Sequence, residues 1–414
     1  MLAVARQKLS AVSSNAAKFC REYHVLSVGL VLCLAAIFLV NYNPLPRTLY
    51  WPVLLIFVFV GPSFTRRVLS TSVIFWAAAI YLAALGVSSL AQADVSGAAA
   101  WRHFRLSFLV LSFLLVIAFL VSSSRRWLAN FFFTMGLVVA LSAAINMSIF
   151  ILWELYLGQF GDRLIALLGM PAYWNSTNIS ATYAIYFVGA VAATITGEFS
   201  RMQRRMLTIA ALILLAAVFM TQARSAILAI LAAFVVFVGV TSRGTRLTML
   251  AALIVTCVGI AGIPQLRELL WARGLSYRLE LWTDYLAMAT DRPFLGFSPL
   301  KNIDIFMQDG FRVDQPHNLV LSAQIRGGIA AAGAMLAILL GGIYWSAKYW
   351  RKTQCAIPLC VIVTMSVVGM FDYQLLSTYP DWAWVTFWVP IGVCIGAEVR
   401  MRGELQPSPL EAAL

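Results

Sequence analysis

The residues of this chain that can do chemistry are a histidine and two arginines in otherwise apolar surroundings. An imidazole titrates near neutrality, so His317 can take a proton from an attacking hydroxyl group. Arg224 lies in Gln-Ala-Arg-Ser and Arg278 lies four residues before Trp282, and the forked guanidinium group fits a phosphate. The alternatives are structural: a histidine that only hydrogen-bonds within a loop, or an arginine that extends to the membrane surface. These residue types favour anion binding combined with proton transfer, which makes His317, Arg224 and Arg278 the candidate catalytic residues.

Several other polar or aromatic residues are weaker candidates for contact with a substrate. Two arginines flank a histidine in Trp-Arg-His-Phe-Arg, another arginine follows Gly-Asp, and an asparagine follows His317. The candidate substrate-binding residues are Arg102, His103, Arg105, Arg163, Trp282 and Asn318.

The acidic residues are scattered singly, without an Asp-x-Asp pair or other acidic cluster in the predicted outer segments. Closely spaced carboxylates are the usual ligands of Mg²⁺ in transferases. We therefore expect neither a metal site nor a cofactor. If the leaving group is a pyrophosphate, arginines must neutralise it in the metal's place.

The composition indicates a polytopic membrane protein. The chain has 414 residues, of which 61% are hydrophobic and 11% charged, which is too apolar for a soluble globule of this length. The formal net charge of +13 comes from short clusters of Lys and Arg between apolar runs, without the continuous basic face of a nucleic-acid binder. The six cysteines lie in or beside apolar runs, so no disulfide framework is indicated. Membrane lipids are the expected surroundings, and nucleic acid is not an expected partner.

Residues 1–23 do not resemble a cleaved signal sequence, because basic residues are spread along them and no small-residue cleavage site follows the first apolar run. Leu2, Leu9, Val12 and Phe19 share one face at helical spacing. This pattern predicts a short interfacial helix on the bilayer. A solvated tail is the alternative.

Apolar segments long enough to cross a bilayer recur along the chain. They predict an all-α fold with about twelve transmembrane helices. The second is the weakest, since it is short and carries Pro52 and Pro62. The predicted spans are residues 25–41, 49–63, 68–90, 104–121, 128–152, 178–196, 206–220, 225–240, 247–263, 325–345, 355–371 and 382–397.

Lys and Arg in the short loops predict the orientation, because they favour the cytoplasmic side. With the N-terminus inside, 18 of the 30 basic residues are cytoplasmic and both termini lie in the cytoplasm. The predicted cytoplasmic set is Arg6, Lys8, Lys18, Arg21, Arg66, Arg67, Arg125, Arg126, Arg201, Arg204, Arg205, Arg243, Arg246, Lys348, Arg351, Lys352, Arg400 and Arg402. Most of the others belong to one long polar stretch, which is therefore predicted to be extracytoplasmic and to use its cations for binding.

This orientation divides the chain into three parts. Residues 1–263 hold the N-terminal helix and nine spans, residues 264–324 form one large outer catalytic loop with Arg278 and His317, and residues 325–414 hold three spans and a cytoplasmic tail. In a bacterium the outer side is the periplasm, where lipid-linked phosphates and pyrophosphates are presented at the membrane.

Within the loop, Ser276 can cap a helix that runs to about Ala289. On that helix Arg278, Trp282, Tyr285 and Ala289 share one face, since they lie at i, i+4, i+7 and i+11. Residues 304–314 are predicted to be hairpin-like or disordered. At the start of the sixth span, Asn175 and Asn178 either cap the helix or bind a sugar.

Four short motifs follow one another over about 110 residues. They are Gln222-Ala223-Arg224-Ser225, Arg278-x-x-x-Trp282, Pro293-Phe294-Leu295-Gly296-Phe297, and His317-Asn318 followed by Leu321 and Gly327-Gly328. In order and spacing they resemble the O-antigen ligase and polymerase family of bacterial envelope glycosyltransferases. The rest of the chain is similar to that family in hydropathy alone.

The resemblance implies transfer of O-antigen from undecaprenyl pyrophosphate to a sugar hydroxyl of lipid A core, at the periplasmic face of the inner membrane, without metal or ATP. It also implies that Arg224 and Arg278 hold the pyrophosphate while His317 activates the acceptor hydroxyl or positions the reacting groups. Direct displacement would invert the anomeric carbon, since no carboxylate nucleophile is evident in the loop. The acidic residue expected shortly after the histidine is absent, and Gln324 and Arg326 occupy that region instead.

Other functions remain open at the level of sequence. A polymerase of the same family would join two lipid-linked repeat units, and a ligase could act on a protein hydroxyl. From a different class, a secondary transporter also has about twelve spans, but it should carry ionisable residues near mid-membrane, and the predicted span interiors are nearly free of charge. The sequence does not predict the oligomeric state.

Overall fold

The structure, a computed structural model, describes most of the chain with several gaps. The predictions for residues 1–22, for the span 247–263, and for Asn175 and Ser276 lie outside the described residues. The described residues are 23–40, 44–92, 95–157, 163–165, 176–241, 278–301, 303, 305–306, 312–313, 315–372 and 380–403.

The described residues form α-helices and one small antiparallel sheet. A π-helical turn, Trp384–Trp388, leads into the last helix. The elements are α1 (Tyr23–Leu39), α2 (Pro44–Val60), α3 (Pro62–Thr71), α4 (Val73–Leu90), α5 (Gly97–Ser123), α6 (Arg125–Leu157), α7 (Ser176–Thr196), α8 (Arg201–Thr221), α9 (Arg224–Val240), α10 (Arg278–Asp291), β1 (Ile305–Phe306), β2 (Arg312–Val313), α11 (Leu319–Thr353), α12 (Ile357–Asp372) and α13 (Val389–Arg402).

The prediction of an all-α polytopic membrane protein is confirmed. Among the described residues, 7 helices are long and apolar enough to cross a bilayer, or up to 8 if one bent pair counts as a single span, and three shorter apolar helices accompany them. Every predicted span except 247–263 has a described helix at its position. The total of twelve spans stays a prediction, because α1, α9 and α12 have fewer than 18 residues and the span 247–263 lies outside the described residues.

The predicted second span is bent at its end. Helices α2 and α3 meet at 85°, with Gly61 between them. Pro62 begins α3, where its missing N–H removes no intrahelical hydrogen bond. The pair therefore crosses or re-enters the bilayer as two pieces, which explains why this segment had the weakest span signal.

At one end of the bundle, which we name the basic end, a buried carboxylate joins α4 to α13. Glu398 is fully buried and accepts hydrogen bonds from Ser72 Oγ (2.6 Å), Val73 N–H (3.0 Å) and Ile74 N–H (3.3 Å). Arg402 pairs with the same carboxylate at 3.0 Å. A carboxylate at a helix N-terminus satisfies N–H groups that have no intrahelical partner and is favoured by the helix dipole. The sequence pattern did not predict this contact.

Residues from several of the predicted cytoplasmic clusters meet at this basic end. The Arg402 Cζ atom lies 4.5 Å and the Lys348 Nζ atom 4.8 Å from the centroid of the Trp345 ring. Arg125, at the start of α6, lies near the buried thiol of Cys355. That the basic end faces the cytoplasm remains a prediction.

The opposite end, which we name the site end, contains the end of α4, the starts of α5, α9 and α11, and the end of α12. The hairpin in the polar stretch is also formed: Ile305 pairs with Val313 and Phe306 with Arg312. Helix α11 begins at Leu319, six residues before the predicted start of the tenth span, because Asn318 caps it. Asn178 is the third residue of α7 and does not precede that helix, so it is not the N-cap, and a sugar contact stays a prediction.

Candidate functional site

The helix α10 carries its predicted functional face toward α11. Tyr285 and Ala289 are buried in a small apolar cluster with Ile325 of α11. Arg278 and Trp282 lie earlier on the same face, at the spacing that places them one above the other. The prediction of a shared face is confirmed, and its apolar half anchors α10 while its basic half extends beyond the cluster.

Arg278 and Trp282 meet at one aromatic ring from α12. The Cζ atom of Arg278 lies 5.9 Å from the centroid of the Phe371 ring. The rings of Trp282 and Phe371 are stacked, with centroids 6.2 Å apart and planes at 30°. Guanidinium groups are attracted to aromatic faces, so Phe371 fixes where the Arg278 guanidinium lies. The sequence analysis did not identify Phe371.

A hydrogen bond links this aromatic group to the candidate base. The indole Nε1–H of Trp282 donates to the backbone carbonyl of Pro316 at 2.8 Å. The next residue, His317, is half-buried and has a φ of 48°. A left-handed conformation is uncommon for a residue with a Cβ atom and is found at turns and functional sites. Trp282 therefore helps to hold the peptide that orients the imidazole.

Asn318 holds the other side of His317. Its Oδ1 atom accepts hydrogen bonds from the N–H groups of Val320 (3.1 Å) and Leu321 (3.0 Å), which caps α11. Its Nδ2 atom donates to the Met370 carbonyl at 3.3 Å, next to Phe371. The structure thus gives Asn318 a positioning role, and a direct substrate contact for Asn318 stays a prediction.

Arg224 reaches the same place from a different part of the chain. It is the first residue of α9, and only Gln222, in a left-handed conformation with φ of 54°, and Ala223 separate it from α8. Arg224 is half-buried, and Arg278 repels its positive charge. Two guanidinium groups that are 54 residues apart in sequence are therefore held within electrostatic range of each other.

Arg163 lies in a short described segment beside the end of α8. The N–H of Leu164 donates to the Met220 carbonyl at 3.0 Å, four residues before Arg224. Arg163 itself is half-buried. The structure thus places the backbone beside Arg163 near the start of α9, and a substrate contact for Arg163 stays a prediction.

The turn Pro293–Ser298 packs against the Gly327-Gly328 pair of α11. Helix α11 is broken at Gly328, which has φ of 70° and ψ of −169°. The break frees backbone groups, and the turn satisfies them: Phe297 N–H donates to the Ile325 carbonyl (2.7 Å), and Ile329 N–H donates to the Pro293 carbonyl (2.8 Å). The turn motif and the glycine pair, which follow one another in the sequence as separate motifs, thus form a single joint between α10 and α11.

Both glycines at this joint are required by the backbone. A Cβ atom on Gly328 would lie 2.0 Å from the Phe294 carbonyl oxygen, and one on Gly296, with φ of 64°, would lie 2.6 Å from the Ile325 oxygen. The backbones approach more closely than any side chain allows. The joint therefore fixes the direction in which α10 leaves α11.

The residues that replace the expected acidic group strengthen this joint. The Gln324 amide donates to the Pro293 carbonyl at 3.1 Å. Arg326 donates to the backbone carbonyls of Ser298 (3.3 Å) and Lys301. Gln324 and Arg326 therefore have a structural role at the joint, and they do not take the place of the expected acidic residue.

The end of α4 completes the joint. Arg292 donates to the Gln92 side-chain oxygen at 2.6 Å, and its Cζ atom lies 5.3 Å from the Phe297 ring centroid. The N–H of Ser298 donates to Ser88 Oγ at 2.9 Å. Sequence analysis missed Gln92 and Ser88, because no local pattern marks polar residues at the end of an apolar helix as partners of a distant turn.

The residues of Trp-Arg-His-Phe-Arg do not act as one group. His103 is buried in α5 and hydrogen-bonds to the backbone of Leu82. Arg102 and Arg105 are exposed, and Arg105 lines a separate cavity with residues of α2. The structure places the His103 ring inside the bundle, beside a backbone carbonyl of the neighbouring helix α4, and a contact with substrate stays a prediction.

The fold and this site define a class: a helical membrane protein with guanidinium groups, stacked aromatic rings and a strained histidine gathered at one end. Among the described residues, no group of three or more His, Cys, Asp and Glu side chains is arranged to hold a metal ion. Residues 209–334 match the family described as O-Antigen ligase, and this range contains Arg224, Arg278, Trp282 and His317.

A curated relative points to the same family. The chain is 24% identical over 135 residues to an O-antigen ligase of Pseudomonas aeruginosa, which covers 33% of this chain and 34% of the relative. Together the two comparisons support the O-antigen ligase family for this chain. The aligned region spans about a third of the relative's length.

Proposed function

We propose that this chain is a glycosyltransferase of the bacterial inner membrane. It transfers O-antigen from undecaprenyl pyrophosphate to a sugar hydroxyl of lipid A core, at a site end that faces the periplasm. The observation that carries the proposal is the convergence of Arg224 and Arg278 beside the peptide that holds His317. Like charges at close range repel each other, and a diphosphate between them would relieve this repulsion.

In the proposed reaction the acceptor hydroxyl attacks the anomeric carbon and the bond from that carbon to the pyrophosphate oxygen breaks. Arg224 and Arg278 bind the oxygens on which negative charge develops. His317 takes the proton of the hydroxyl, and its left-handed backbone, held by Trp282 and Asn318, sets the direction of the imidazole. Direct displacement inverts the anomeric carbon.

The test is a reconstituted transfer reaction. Purified protein in detergent is given undecaprenyl-pyrophosphate-linked glycan and lipid A core, and the products are separated by size and mass. We expect the core to gain sugar, with EDTA leaving the rate unchanged, and His317→Ala to reduce the rate by about 100 to 10,000-fold as the loss of a general base does. Transfer at the wild-type rate by His317→Ala would remove that residue from the mechanism.

The same reaction separates the related functions. Lengthening of the donor glycan without sugar on the core would indicate a polymerase of the same family, which needs the same contacts to pyrophosphate. Transfer to a protein hydroxyl and not to the core would indicate the third possibility. No turnover of the donor with any acceptor would reject glycosyl transfer altogether.

The side of the membrane is tested by labelling. Lys301→Cys at the site end and Lys352→Cys at the basic end are treated in whole cells with a maleimide that does not cross the inner membrane. Lys352 is exposed, and Cys33, Cys355, Cys360 and Cys394 are buried and contribute little background. We expect Lys301→Cys alone to react. Reaction of Lys352→Cys alone would show that the basic end, and not the site end, faces the periplasm.

A further inference from the structure

A cavity with two arginines lies at the site end, between the start of α2, the first turns of α5 and Pro380, in the segment that leads to the π-helical turn. Its volume is about 220 Å³. The residues that line it do not come from α9, α10 or α11, which build the candidate catalytic site. They are Arg47, Tyr50, Trp51, Arg105, Leu109 and Pro380.

The aromatic wall of this cavity is rigid. Tyr50 is buried, its hydroxyl bonds to Ser112 Oγ at 2.8 Å, and its ring meets the Trp384 ring with centroids 5.1 Å apart. Trp384 begins the π-helical turn that leads into α13. The cavity therefore has one fixed apolar wall, and the two arginines supply its charge.

The two charged residues that line the cavity, Arg47 and Arg105, are both basic. Arg105 is exposed and Arg47 is half-buried. The nearest carboxylate in sequence is that of Asp381, which follows Pro380 and accepts a hydrogen bond from the Ala383 N–H at 2.9 Å. A guanidinium group has five N–H donors, so an arginine with contacts inside the protein still has donors for a ligand.

An exposed apolar surface runs from the cavity toward the middle of the bundle. On α2, Trp51, Leu55 and Val58 lie at i, i+4 and i+7 and are 54%, 61% and 58% exposed. On α5, Trp101 and Phe108 are exposed on either side of Arg105, with 71% and 62% exposure. A cavity with cations at the membrane edge and an apolar surface below it fits an anionic headgroup that is attached to acyl chains.

We propose that this cavity binds a phosphate group of the lipid acceptor and so holds the acceptor apart from the donor's pyrophosphate. The assignment of the ligand as acceptor rests on the proposed function, whereas the preference for a phosphorylated amphiphile rests on the cavity alone. Arg47 and Arg105 bind the phosphate oxygens, the Tyr50 ring forms the wall beside them, and the acyl chains lie along the exposed stripe of α2.

Binding in detergent tests the cavity without any transfer reaction. Lipid A core and the same lipid after enzymatic removal of its phosphates are titrated onto wild-type protein and onto the double variant Arg47→Gln, Arg105→Gln, with inorganic phosphate alone as a third ligand. We expect wild type to prefer the phosphorylated lipid, and the double variant to lose affinity for it by about 10-fold or more, the loss typical of charge-assisted hydrogen bonds. Arg205→Gln, an exposed arginine at the basic end, is the matched control and keeps wild-type affinity.

Three outcomes would overturn the proposal. They are equal affinity of wild type and the double variant, equal affinity of wild type for the two forms of the lipid, and binding of inorganic phosphate as tight as that of the lipid. The last result would identify a site for a free anion and not for a lipid headgroup. Each outcome can be read even if the protein transfers no glycan, so failure here is distinct from failure of the proposed function.

Kinetics then test the assignment to the acceptor. In the transfer reaction we expect the double variant to raise the KM for lipid A core by about 10-fold. Its kcat at saturating acceptor and its KM for the lipid-linked donor remain those of wild type. A raised KM for the donor with an unchanged KM for the acceptor would show that the cavity belongs to the donor site and would overturn the assignment.

Discussion

The two ends of the bundle treat charge in opposite ways. At the basic end the charge of Glu398 is buried and satisfied within the protein, by three groups at the start of α4 and by Arg402. At the site end two like charges, Arg224 and Arg278, are brought together and repel each other. The first arrangement stabilises the fold. The second places two like charges within electrostatic range of each other, which is an arrangement typical of sites where a ligand supplies negative charge.

The arginines of the site end themselves divide in the same way. Arg326 and Arg292 are bonded to backbone carbonyls and to a glutamine, and they hold the turn on the kink of α11. Arg278 instead lies over an aromatic ring, next to Arg224. An arginine in the polar stretch is thus either part of the joint or part of the site, and the two kinds respond differently to substitution.

The largest effect is expected at the joint. Gly328→Ala places a Cβ atom against the Phe294 carbonyl in a backbone conformation that is essentially restricted to glycine. We expect the turn to leave the kink, transfer to fall below detection and the melting temperature to fall. The control is Gly333→Ala in the same helix, where a Cβ atom meets nothing within 4 Å. Wild-type transfer by Gly328→Ala would show that the joint does not position the site.

The next largest effect is expected from the like-charge pair. Arg224→Gln should lower kcat/KM for the lipid-linked donor by about 100 to 1000-fold, the usual loss when one donor to a developing anion is removed. Thermal stability should stay the same or increase, because the repulsion from Arg278 is removed. Arg205→Gln at the basic end serves as the charge-matched control for both measurements. A destabilised Arg224→Gln protein would mean that this arginine is structural.

The basic end should give the opposite result. Glu398→Ala leaves the start of α4 without its acceptor, which should lower the free energy of unfolding by about 1–3 kcal/mol. The KM for the donor should not change, since the carboxylate lies at the other end of the bundle. Glu198→Ala, an exposed glutamate after α7, is the control and should leave stability unchanged. A fall in transfer without a fall in stability would contradict the structural assignment of Glu398.

Much of this contrast could be predicted from the sequence. What could not be predicted has physical causes. Hydropathy is periodic and local, so it located the helices, and the spacing of Arg278, Trp282 and Tyr285 predicted a shared face that the structure confirms. The partners of that face are distant in sequence: Phe371, Met370 and the joint at Gly328 depend on how helices pack, which no local spacing encodes. The burial of His103 was not predicted for the same reason, since the carbonyl that it bonds belongs to another helix.

The burial of Glu398 is a second feature that the local sequence does not predict. A single glutamate near the end of an apolar segment, four residues before Arg402, is typical of an exposed ion pair on a helix. Its burial depends on the break between α3 and α4, which exposes unpaired N–H groups beside it. Because Glu398 lies in the last turns of α13 and is satisfied there, it does not supply the mid-membrane ionisable site that a transporter requires.

The smallest effect is expected at the link between the aromatic group and the histidine. Trp282→Phe keeps a ring against Phe371 but removes the N–H that donates to the Pro316 carbonyl at 2.8 Å. Loss of one such hydrogen bond should lower the free energy of unfolding by about 0.5–1.5 kcal/mol. Because that carbonyl precedes His317, kcat should fall while the KM for the donor is unchanged. Trp153→Phe, at a ring that is 56% exposed on α6, is the control. An unchanged kcat would show that the Trp282 hydrogen bond does not position His317, and that Asn318, the N-cap of α11, holds this backbone without it.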